Sequence, residues 1–121
     1  MTIIFGGCGS SGQLQQEVNL QKVKFDLSKY DENGLTTINE TGEKKSIDFE
    51  FCIPALSRCI EEVKAIDPGI RIYPQEPGRL ACRENFILCA GNSGKSNFKS
   101  IIANLSQLKY IEFIVETEKE K

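Results

Sequence analysis

A chain of 121 residues, 40% of them hydrophobic, has the material for one core and is too short for two full-sized domains. Its formal net charge of -2 offers no cationic surface to a nucleic-acid backbone or an anionic bilayer, so neither is an expected partner. Histidine is missing altogether, which removes the commonest metal ligand and general base, and the expectation is a protein with no catalysis, no metal and no cofactor.

Residues 1–11, MTIIFGGCGSS, are an apolar run followed by glycines, a cysteine and small residues. The stretch Phe5-Gly6-Gly7-Cys8 resembles the lipobox of bacterial lipoproteins in Gly6, Gly7 and Cys8, with Phe where Leu is usual. The resemblance covers these residues alone and implies that Cys8 is a lipid anchor, the only route by which this chain would meet a membrane. The basic and long apolar regions of a signal peptide do not stand before Cys8, so such an anchor requires an extension upstream of Met1. Without an anchor the same residues read as a short apolar strand with an incidental cysteine. Residues 9–19, GSSGQLQQEVN, have the small and polar composition of a tether, and as a coil they would span roughly 17 to 20 Å. Residues 1–19 are therefore assigned to a signal-peptide remnant and flexible tether, 20–116 to a single domain and 117–121 to a charged tail.

Within the domain, Val23, Phe25 and Leu27 alternate with Lys22, Lys24 and Asp26, the period of a strand with one buried face. Asn33-Gly34 marks a turn, residues 35–39 a short returning strand, and Gly42 a second turn. Residues 45–52 form a stronger strand with Ile47, Phe49 and Phe51 inward. Pro54 opens a helix whose stripe is Leu56, Cys59, Ile60, Val63 and Ile66, closed by Asp67-Pro68-Gly69. Ile70 and Ile72 face inward from a short strand, PQEPG at 74–78 is a turn, and 86–90 is apolar enough for a central strand. Phe98, Ile101, Ile102, Leu105 and Leu108 repeat the first helical stripe, and Ile111, Phe113 and Val115 alternate inward along a last strand.

From residue 45 onward the order is strand, helix, strand, strand, helix, strand. This predicts an α+β fold of ferredoxin-like βαββαβ type, an antiparallel sheet with two helices on one face, plus an N-terminal strand or hairpin. A less regular α+β sandwich, with that hairpin pairing centrally, is the alternative.

Of the five cysteines, Cys52, Cys59, Cys82 and Cys89 lie in the domain without any C-x-x-C pair, which argues against a zinc ribbon or a thioredoxin-like site. Two disulfides and an oxidising compartment are expected, paired either as Cys52–Cys82 with Cys59–Cys89 or as Cys59–Cys82 with Cys52–Cys89. Residues 89–96, CAGNSGKS, resemble a Walker A loop in Gly94, Lys95 and Ser96, with Cys89 where the first glycine belongs. The resemblance implies anion binding by Gly91, Ser93, Gly94, Lys95 and Ser96. Read locally, the same residues are a turn and a helix cap. Arg71, Tyr73, Arg79 and Arg83 gather near one turn, as a partner-binding rim or as a charged edge that resists sheet pairing. The sequence thus points to a non-enzymatic envelope or secreted domain acting through protein or small-ligand binding. The alternative is a cytosolic phosphate- or nucleotide-binding domain.

Overall fold

Alternation of Phe49, Phe51 and Ile53 with half-buried residues builds the central strand, β3 (Asp48–Pro54). The structure, a computed structural model, describes residues 17–38, 40–74 and 82–117. Strand β3 pairs antiparallel along its whole length with β5 (Phe86–Asn92), and over Asp48, Phe49 and Glu50 with β6 (Val115–Thr117). Edge strand β4 (Arg71–Tyr73) pairs with β5, which gives the order β4-β5-β3-β6. A separate two-stranded sheet joins β1 (Thr36–Thr37) to β2 (Lys44–Lys45). Helices α1 (Ser57–Ile66) and α2 (Phe98–Ser106) follow β3 and β5. The fold is therefore mixed α+β, with antiparallel strands in both sheets.

One core joins Phe49, Phe51, Ile53, Ile87 and Cys89 of the sheet to Cys59 and Val63 of α1 and Phe98, Ile101, Ile102 and Leu105 of α2. Each of the larger aliphatic and aromatic side chains contributes roughly 1.5 to 3 kcal/mol by leaving water. Phe98 brings in the N-terminal segment, its ring centre lying 5.0 Å from that of Tyr30, 5.8 Å from Phe49 and 6.5 Å from Phe25. Residues 17–19, counted with the tether in the sequence, dock on the end of α2: Asn19 N–H donates to Ser106 Oγ at 2.9 Å.

Several elements differ from the sequence expectation, each for a physical reason. Val23 makes a single parallel bridge to Ile114 instead of a strand. Beyond it Asp26 Oδ1 accepts from Ser28 N–H and caps a 3-10 turn, Leu27–Lys29, which takes the backbone out of any ladder. Residues 36 and 37 pair forward with β2 across Gly42, whose φ is 86°. Pro54 ends β3 and does not open α1, because Ala55 N–H still donates across to Asn85 O, and the inward set of Ile47, Phe49 and Phe51 is extended by Ile53, with Ile47 only partly buried against the core. Leu56 consequently precedes the helix and is 44% exposed. Along residues 110–116, expected as the last strand, the buried residues are Ile111 and Ile114, three apart, since Ile111 N–H closes a turn onto Leu108 O and Ile114 bonds to Lys22 and Lys24. Phe113, expected inward, is 46% exposed.

The chain carries a Cys52–Cys82 disulfide, while Cys59 and Cys89 are buried free thiols. The expected second bridge, Cys59–Cys89, is therefore corrected, and so is the alternative pairing. Cys89 stands opposite Phe51 and so faces the core, whereas Cys52 is one residue on and faces away. Cys59, on α1, and Cys89, on β5, both lie in the core as free thiols. Both behave as small core hydrophobes. The lipobox-like residues, including Cys8, lie outside the described residues, as do Arg79 and the four C-terminal residues 118–121.

Burial pushes the Cys89 thiol up from 9.0 to about 12, with Lys64 opposing the rise. A raised value in the folded state means that its contribution to stability is complete below pH 9.0 and is lost as pH rises toward about 12. The urea midpoint is expected to fall across that window and to fall less steeply in Cys89→Ala. An identical alkaline profile in the variant would contradict the assignment.

Candidate functional site

The ladder bonds at its two ends fix which way each backbone group of β3 points. Ser93 N–H donates to Ile47 O and Ala55 N–H to Asn85 O, so odd-numbered residues turn their backbone toward β5 and even-numbered ones toward β6. The pairing with β6 ends at Glu50–Val115. Two more register steps would set Phe113 opposite Cys52, but Ile114 is held by Lys22 and Lys24 and the chain turns away.

A cleft of about 230 Å³ opens where the two strands part, lined by Cys52, Cys82, Arg83, Phe86, Tyr110, Glu112 and Phe113. The disulfide forms one wall, with the two Cα atoms 5.7 Å apart. Arg83 lies over the Phe86 ring at 4.4 Å and reaches Glu112 Oε2 at 3.1 Å. Lys24 stands 5.1 Å from the centre of the Phe113 ring. Tyr110 donates its hydroxyl to Glu62 Oε1 at 2.6 Å, and burial together with that bond raises its phenol above the ordinary value. Asn85, at φ 71°, turns the chain into Phe86, a left-handed conformation that asparagine adopts more readily than most residues. Phe86 also walls a second depression against Pro54, Ala55 and Leu56, so the apolar surface continues beyond the cleft.

Of the described rim residues expected from sequence, Arg71, Tyr73 and Arg83, only Arg83 reaches the cleft. Arg71 pairs with Asp48 at 3.6 Å and lies over Tyr73 on β4, with β5 between that strand and β3. Phe86, Tyr110, Glu112 and Phe113 were not singled out by the sequence as site residues. Their only local signal is the three-residue spacing of Ile111 and Ile114, which breaks the strand period and turns Phe113 outward.

The residues resembling a Walker A loop are mostly committed internally, Ser96 alone among the five expected anion-binding residues being exposed with no internal bond among the described residues. Gly91 and Asn92 belong to β5, and α2 starts only at Phe98. Ser93 is 1% exposed and donates from its hydroxyl to Gly34 O at 2.5 Å while accepting from Ile47 N–H at 2.9 Å. Gly94 N–H is taken by Asn92 Oδ1 and Lys95 N–H by Ser93 O. Lys95 Nζ lies 2.7 Å from Oδ1 of Asp67, whose side chain is 3% exposed and whose Oδ2 has no partner among the described residues. The loop ties the start of α2 to the end of α1. Lys95→Met leaves that buried carboxylate without its cation, only Gly69 N–H still donating to Oδ1, and is expected to cost about 2 kcal/mol by urea unfolding, below the usual loss for a buried pair because Lys95 is partly solvated. Adding Asp67→Asn should recover part of it, and a neutral Lys95→Met would contradict this role.

Among the described residues no three metal-ligating side chains cluster, and no helix is long and apolar enough to cross a membrane. No protein-family model, curated protein or solved structure matches the chain.

Proposed function

We propose that this chain is a non-enzymatic binding domain of an oxidising compartment, holding an apolar group of a protein or small ligand in the cleft beside Cys52–Cys82. The observation that carries the reading is the coincidence of the disulfide wall, Phe86 and the half-exposed Phe113 around one opening. An apolar patch with a few polar groups at its mouth is the usual form of a binding site. Here the polar groups are Arg83 and Glu112. The disulfide supports export, since such bonds persist outside reducing compartments. The lipobox-like Phe5-Gly6-Gly7-Cys8 supports attachment of the exported chain to the bacterial envelope through Cys8. The strand order β4-β5-β3-β6, with α1 between β3 and β4 and α2 between β5 and β6, supports the ferredoxin-like arrangement.

Titration of the oxidised, nitrogen-15-labelled chain with indole tests the reading by amide spectra. Saturable shifts concentrated at Arg83, Phe86, Tyr110 and Phe113, lost in Phe86→Ala, are the expected result. Shifts confined to residues 91–96, or none that saturate, would contradict it.

A further inference from the structure

We infer that the occupant of the cleft is an extended segment of a partner protein, one residue of which pairs with the backbone of Cys52 where β6 has left β3. The inference rests on the cleft being a binding site and adds the class of partner. As an even-numbered residue of β3, Cys52 directs its N–H and C=O toward the β6 side, into the opening. Neither group has a partner among the described residues. The window is bounded on both sides. Glu50 is paired with Val115, and Pro54 has no N–H and gives its carbonyl to Leu56 N–H at 2.8 Å.

A purely apolar ligand filling the cleft would bury the donor and acceptor of Cys52 unsatisfied, which opposes its binding. An extended backbone supplies one acceptor and one donor at strand spacing and removes that cost, which is how unpaired sheet edges recruit peptides. The side chains then fall into place by alternation. A residue set opposite Cys52 shares its face and meets Cys82 and Phe86, while its two neighbours turn to the α1 side, where Tyr110 is held by Glu62. The fork thus reads a short apolar strand, with Arg83 and Glu112 at its rim.

The test uses the full oxidised chain, labelled with nitrogen-15, and a capped heptapeptide of alternating valine and threonine. The same peptide N-methylated at every other residue, in both phases, separates backbone pairing from side-chain contact, and indole serves as the apolar reference. The expected result is a downfield shift of the Cys52 amide, at least tenfold slower hydrogen exchange there, and at least tenfold weaker binding of one N-methylated form. Peptide binding that leaves the Cys52 amide unchanged, or equal affinity of all three peptides, overturns strand pairing. Occupation by indole but not by peptide overturns it while leaving the cleft as a binding site, and failure of both removes the cleft as well.

Discussion

Gly34→Ala is expected to destabilise the fold by roughly 2 to 5 kcal/mol, the sum of a left-handed backbone and a forced overlap. Gly34 has φ 75°, and a Cβ there would lie 1.6 Å from the carbonyl oxygen of Ser93 and 2.7 Å from its carbon. Those atoms are backbone and cannot rotate aside. Moving them also disturbs the hydroxyl of Ser93, which links Gly34 O to Ile47 N–H and so ties the first turn to the entry of β3. Gly42→Ala is the control, since Gly42 shares the positive φ but a Cβ there meets nothing within 4 Å. Its expected cost is only about 1 to 2 kcal/mol. Equal urea midpoints for the two variants would contradict the packing of Ser93 on Gly34.

Opening the Cys52–Cys82 bridge should cost roughly 3 to 4 kcal/mol, by freeing in the unfolded chain a loop whose ends are 30 residues apart. For a domain of this size that lowers the melting temperature by roughly 15 °C or more. Calorimetry with and without reductant, and on the double variant Cys52→Ala with Cys82→Ala, measures it. Cys59→Ala keeps the bridge, so the reductant should still act on that variant. A reductant effect below about 1 kcal/mol would remove the bridge as a structural staple.

The parts of the fold that were legible in the sequence are those written in local periodicity. Phe49 and Phe51 announce β3, and the matched stripes of Cys59 and Val63, then of Ile101, Ile102 and Leu105, announce the helices. The placing of Cys52 and Cys82 at one end of the sheet followed from that element order, and they are bonded. What local pattern could not supply is whether an alternating segment finds a neighbour. Val23, Phe25 and Leu27 have the period of a strand, yet Asp26 draws the backbone into a turn. Lys95 looks like a phosphate-binding lysine until Asp67, 28 residues away, is seen beside it. The cleft is less legible still, since it exists because β6 leaves β3 after Glu50, and that departure is decided by Val23 bridging Ile114 from the far end of the chain.

The reading of this chain as a disulfide-stapled, exported binding domain stands first on its sulfur chemistry. Peptide mass spectrometry of the natively exported protein, alkylated before and after unfolding and never reduced, tests that directly. The account predicts a single Cys52–Cys82 cross-link, with Cys59 and Cys89 unmodified in the native protein and alkylated once it is unfolded. Four free thiols, or a bridge joining Cys59 to Cys89, would contradict it.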